Sequence, residues 1–215
     1  MIRTRRVSVG FSLLTLLVAS LLAVPIHGDQ HPFPPIGVSL GLMLVSGVAT
    51  WVVAGRAWGS TVLALGVVAV VWIQFSKSGD TPLGHVFPGF LFAIAAVISA
   101  AAITRTALRP ATHGGDRIYF GIASYLLIGL AFASVQHRVA ILDPGAYRLP
   151  DATQGKWVDF LWLSFSTLTT AGFGDVVPVT SWARLVCTLE AVTGVMFPAI
   201  FIARLVTEAS EDAAG

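Results

Sequence analysis

Charge is what this sequence has least of. Asp, Glu, Lys and Arg make up 11% of its 215 residues, whereas hydrophobic residues make up 55% and the mean hydropathy is +0.81. Ordinary soluble domains carry about 25% charged residues, so the composition excludes a conventional water-soluble fold and points to a membrane protein. Thirteen Lys and Arg against eleven Asp and Glu leave a formal charge of +2, scattered along the chain, which excludes nucleic acid as a partner. A single cysteine, Cys187, excludes an intrachain disulfide, and no Cys and His cluster has zinc-ligand spacing. The five histidines, His27, His31, His85, His113 and His137, fall in loops or at the ends of apolar runs, where solvation is expected rather than metal ligation. No nucleophile and base pair is visible at membrane depth, so an intramembrane enzyme is not expected.

What the chain does have is long apolar runs. About 20 apolar residues cross a bilayer, and the runs predict spans at 7–26, 36–55, 59–76, 85–104, 118–136 and 182–206, with a shorter apolar stretch at 157–169. Loops between them are marked by the prolines of 25–35, by Lys77 to Gly84, and by Arg109-Pro110 and Gly114-Gly115. Arg3, Arg5 and Arg6 before the first run could also open a signal peptide, but the run is long and Pro25 makes a poor cleavage site, so a first helix is expected. With the N-terminus in the cytoplasm, Arg3, Arg5, Arg6, Arg56, Arg105, Arg109, Arg117 and Arg204 lie inside, and Lys77, Arg138, Arg148, Lys156 and Arg184 outside, as the positive-inside rule favours. Both termini are then cytoplasmic and the 137–181 segment is external. A change of character near residue 112 divides a four-helix region, 1–112, from a two-helix region, 113–215.

The segment from Phe160 to Pro178 is too short to cross the membrane and return as helices. It carries Gly172-Phe173-Gly174, and non-helical backbone at membrane depth is tolerated only where protein buries it or water lines it. A re-entrant pore loop meets that condition: carbonyls of such strands from several chains face one axis and replace an ion's hydration shell. Gly at alternate positions supplies the backbone angles that aim successive carbonyls one way.

Thr169-Thr170-Ala171-Gly172-Phe173-Gly174-Asp175, flanked by Thr167-Leu168 and Pro178-Val179-Thr180, resembles the signature of the potassium channel family in its bacterial KcsA-type pore-domain form. The resemblance runs from about Tyr125 to Val206 and takes in Pro144-Gly145-Ala146-Tyr147, Leu189-Glu190-Ala191 and Ala203-Arg204-Leu205-Val206. It implies that Thr170, Ala171, Gly172, Phe173 and Gly174 coordinate the permeant ion, with Thr169 and Asp175 flanking them. Ala171 stands where Val or Ile is usual, and Phe173 replaces the commoner Tyr, removing a hydroxyl that would brace the filter against the pore helix. In that helix, 157–169, Asp159 lies in the first turn, where a carboxylate suits the dipole, and the C-terminal end would favour a cation.

In the last span, Gly194 stands at the family's usual hinge position and Pro198 cannot donate to its carbonyl, so a bend and a gate are expected there. Glu190, one turn earlier, is the acidic residue well inside a span. A modulatory role, or a structural bond to a pore-helix hydroxyl such as Ser166 or Thr167, is expected of it. The span from His85 to Thr104 holds no Lys or Arg, so strong voltage gating is not expected. Gly37 and Gly41 offer a weak helix-packing pair.

These readings combine into an all-α membrane protein of six transmembrane helices, with a re-entrant pore loop between helices 5 and 6, assembled as a homotetramer in a plasma membrane. The expected function is passive, selective K+ conduction, with K+ at the filter as the only metal and no cofactor. Two other readings stand beside it. One is a weakly selective cation channel, because of Ala171 and Phe173; the other is a transporter or sensor module in residues 1–112 that controls the pore.

Overall fold

The computed structural model describes residues 11–15, 17–19, 44, 47–48, 50–75, 82–109, 114–150 and 155–214. The predicted spans at 7–26 and 36–55 fall partly outside these residues, and the prolines of 25–35, the Gly37 and Gly41 pair, His27, His31 and His113 fall wholly outside them. The described chain is mostly helical. Its helices are α1 (Arg56–Phe75), α2 (Pro82–Ala107), α3 (Gly114–Leu142), α4 (Trp157–Leu168) and α5 (Ser181–Ala214), with two short strands, β1 (Tyr147–Arg148) and β2 (Val177–Pro178).

Local chemistry accounts for the breaks. Gly55, at φ +101°, turns the chain between the helical residues 51–54 and α1, and Gly59 lets α1 press its backbone against that of Trp51. Pro82 opens α2, where its missing N–H costs nothing, so the helix begins inside the segment read as a loop. Asp116 places a carboxylate in the first turn of α3.

Three described helices contain stretches long and apolar enough to cross a membrane: Val86–Ala107, Gly115–Leu142 and Ser181–Thr207. The first two are 61% and 56% buried within the chain, but the third only 17%. The main core gathers around α3: Ala100 and Ile103 of α2, Phe120, Ala123, Leu127 and Leu130 of α3, Trp157 of α4 and Phe201 of α5 share it with Leu13 and Leu17. Phe11 meets Tyr119 edge to face at 5.7 Å, so residues of the first apolar run lie against this chain's own α3. Hydroxyls tie α2 to α3 along its length: Ser124 Oγ donates to the Ala100 carbonyl at 3.2 Å, and Ser134 Oγ to that of Gly89 at 2.9 Å.

Two expectations are corrected here. Helix α3 continues past 136 to Leu142, so His137, read as solvated at a span end, is instead helical and buried, as is Arg138 beside it. His137 packs between the rings of Trp157 and Phe160, at 5.7 and 5.3 Å, and the Arg138 guanidinium covers Gly89, where a Cβ would collide with it. Aromatic and glycine surfaces supplied by distant segments make these polar side chains interior. The second correction is the small antiparallel ladder, Tyr147↔Pro178 and Arg148↔Val177, absent from an all-α expectation. It pins the loop after α3 to the segment leading into α5.

Candidate functional site

Helix α4 is where sequence becomes geometry. Its buried residues are Trp157, Phe160, Leu163, Ser164, Ser166 and Leu168, of which Trp157, Phe160, Ser164 and Leu168, three and four residues apart, share one face. At the N-terminus, the Lys156 amide donates to Asp159 Oδ2 at 2.9 Å, so Asp159 caps the first turn as well as facing the positive end of the dipole. At the other end the backbone does not stop cleanly. The Thr169 amide donates to the Phe165 carbonyl, Thr170 to Thr167 and Gly172 to Ser166, at 3.0, 3.0 and 3.1 Å, so the strand that follows folds back onto the last turn.

In that strand Thr170, Gly172 and Gly174 have φ values of 59°, 57° and 78°, whereas the intervening Ala171 and Phe173 do not enter the positive-φ region. Left-handed and ordinary conformations thus alternate along five residues. Such alternation turns successive peptide planes the same way, presenting a row of carbonyls on one side instead of the two-sided pattern of a β-strand. Two positions are glycine, for which positive φ is free. Thr170 is the described non-glycine residue that adopts it, and strain of this kind persists only where surroundings impose it, commonly at functional sites. Residues 169–175 are all exposed on the single chain.

Phe173 lies flat against Trp162, with ring centroids 4.7 Å apart and planes 20° from parallel. Aromatic stacking, worth about 1 kcal/mol, thus braces the strand against α4 at a position where phenylalanine has no hydroxyl to bond. Asp175 is exposed just beyond the strand.

Behind the strand, three helices meet in matched steps of four residues. Ser164 of α4 contacts the Gly129 carbonyl of α3 at 2.7 Å and Glu190 of α5. One turn on, Leu168 offers its carbonyl to the Tyr125 hydroxyl of α3 at 3.0 Å and lies against Gly194 of α5, where any Cβ would collide with it. Thus 164 to 168 runs alongside 190 to 194 and opposite to 129 to 125, with the i, i+4 spacing keeping each set on one face. Gln136 Nε2 adds a bond to Glu190 from α3.

Two expected residues acquire definite partners, and Glu190 does meet a hydroxyl of α4, that of Ser164. Glu190 is bonded to Ser164 and Gln136, not to Ser166 or Thr167; the Ser166 hydroxyl turns back to the Leu163 carbonyl at 3.0 Å. Gly194, expected as a hinge, is also a place of closest approach between helices. Pro198 lies inside α5, which continues as helix on both sides of it. Tyr125, Gln136 and Ser164 escape sequence reasoning as site residues, because no short motif contains them. Their signal is spacing across three segments, which becomes visible only when α3, α4 and α5 are brought together.

Comparisons with known proteins agree in the region they cover. The ion channel family matches residues 124–211. A calcium-activated potassium channel of intermediate conductance, from Rattus norvegicus, is 37% identical over 78 residues, which is 36% of this chain and 18% of that protein. The chain therefore aligns with less than a fifth of that relative's length. No solved structure matches.

Proposed function

We propose that this membrane protein, whose residues 124–211 match the ion channel family and are similar in part to a potassium channel, conducts K+ selectively and passively through a pore built by four copies of the chain. The observation that carries the proposal is the alternation of positive φ at Thr170, Gly172 and Gly174 on an exposed strand tied to the C-terminal turn of α4. A carbonyl row on one side of a strand coordinates a dehydrated cation only if other rows face it. One chain supplies one row, and closed rotational symmetry supplies the rest.

In this reading the carbonyls of Thr170, Ala171, Gly172, Phe173 and Gly174, with the Thr170 hydroxyl, replace the water around K+. Thr169 and Asp175 flank them, Asp175 concentrating cations at the outer mouth. Asp159 and the opposite, negative end of α4 orient the helix dipole towards a cation below the filter. Gly194 and Pro198 allow α5 to bend as a gate. Residues 1–112 form a four-helix region without gating charges, completing six spans with both termini in the cytoplasm of a plasma membrane.

The inner helix supports assembly around an axis. Leu185, Leu189, Val192, Met196 and Ile200 are exposed along one stripe of α5, a surface that copies of the same helix can cover.

The experiment is the reversal potential of the purified protein in planar bilayers under opposed K+ and Na+ gradients, with Gly172→Ala as control. Reversal near the potassium equilibrium potential, lost in the variant, is expected. Reversal near zero would instead favour the weakly selective cation pore, the reading that the missing hydroxyl at Phe173 supports. No current from either protein would shift attention to residues 1–112.

A further inference from the structure

The buried contacts behind the filter strand set a strict count of hydrogens. Glu190, Ser164 and Gln136 are each fully buried, so water cannot make up a missing partner. The Ser164 hydroxyl has one hydrogen and two neighbours, the Gly129 carbonyl at 2.7 Å and Glu190 Oε1. A carbonyl only accepts. A carboxylate also only accepts, so an ionised Glu190 and the Gly129 carbonyl would compete for one hydrogen and leave one contact as lone pair against lone pair. A carboxylic acid removes the conflict: Oε1–H donates to Ser164 Oγ, Ser164 donates to Gly129, and Gln136 Nε2 donates to Oε2.

Among the described residues, the titratable groups coupled to Glu190 are the phenols of Tyr125 on α3 and Tyr147 on β1 and the thiol of Cys187 on α5, none of them cationic. His137 and Arg138, which follow Gln136 on α3, turn instead towards Trp157 and Phe160 and towards Gly89.

We propose that Glu190 acts as a neutral carboxylic acid, a positioning residue whose proton completes a hydrogen-bond chain from α5 through Ser164 of α4 to Gly129 of α3 and so holds the pore helix under the filter strand. The inference rests on the pore reading for its consequence, although not for the protonation itself. Packing around Ser164 transmits that consequence. Ser164 is one turn before Leu168, and Phe165, beside it, packs against Gly129 so closely that a Cβ there would come within 2.8 Å of the ring. Loss of the proton turns one bond of the chain into a repulsion and frees α4 to shift on α3, displacing the strand that its last turn holds through Gly172.

Two measurements on the full-length tetramer in lipid test this, with Glu190→Gln as the variant, since an amide donates to Ser164 and accepts from Gln136 at any pH. The first is the infrared spectrum near neutral pH, where a protonated-carboxyl stretch present in the wild type and absent from E190Q is expected. The second is K+ current from about pH 6 to pH 10. A fall of about tenfold at the alkaline end is expected for the wild type, and E190Q should keep its current throughout.

Absence of a Glu190-dependent carboxyl band overturns the proposal whatever the currents show. A band together with identical pH profiles in the two proteins overturns the positioning role. If neither protein conducts under any condition, the pore reading has failed, while the infrared result still decides whether Glu190 is neutral.

Discussion

Single residues around Leu168 set the tolerances of the site. Gly194 has no room for a methyl group beside that carbonyl, and both partners are backbone, so the clash cannot be relieved by a rotamer change. Gly194→Ala should lower the thermal midpoint of the protein in detergent, with a cost of about 1–3 kcal/mol, and, on the proposed pore reading, reduce K+ current more than a flexible hinge alone predicts. Tyr125→Phe keeps the ring but removes the hydroxyl bonded to Leu168 at 3.0 Å; a loss of about 1 kcal/mol is expected, read as a lower unfolding midpoint. Tyr147, outside the spans, is buried with its hydroxyl unbonded, and burial raises its phenol above the ordinary value of about 10. A raised acid is neutral in the folded chain at pH values where it ionises in the unfolded one. Its contribution is therefore intact below about pH 10 and declines as pH rises above it. The alkaline limb of the stability profile should flatten in Tyr147→Phe, as thermal melts across that range would reveal.

Among the elements, α4 is the most legible in the sequence. Its predicted range, 157–169, meets the observed Trp157–Leu168 because an apolar face with helical spacing, an acidic first turn and a glycine-rich exit leave few other options. Helix α3 is legible in existence but not in extent. A polar Gln136-His137-Arg138 run looks like the end of a span, and only the arrival of Trp157, Phe160 and Gly89 explains why it remains helical and buried. The α2 start at Pro82 is obscured for the opposite reason, since a proline that marks loops is also a favoured first helical residue. Asp159 gives the element-level test: Asp159→Ala removes the 2.9 Å cap to the Lys156 amide and should cost about 1 kcal/mol, seen as earlier unfolding with selectivity preserved. The Phe173 and Trp162 stack gives another. Trp162→Leu should leave the reversal potential near its wild-type value but shorten open times, because the strand loses the flat surface that braces it.

At the scale of the whole molecule, the described spans differ in how much they bury within their own chain. Helices α2 and α3 are largely enclosed by their own chain, whereas α5 is only 17% buried over its apolar stretch. Val192 lies within its exposed apolar stripe; on the proposed fourfold assembly, Val192→Asp should shift the purified protein towards smaller species, measurable by light scattering in detergent. The contact between Gly194 and the Leu168 carbonyl has a mechanical consequence as well. One turn away on the same face of the helix stand Glu190 and Pro198, each with a Cβ that Gly194 lacks, so sliding α5 by one turn along α4 would drive a side chain into the carbonyl. The glycine is therefore placed as a fulcrum: side chains one turn away oppose translation of α5, and a swing of its C-terminal end about the contact would return as an opposite swing of the end that packs beside α4.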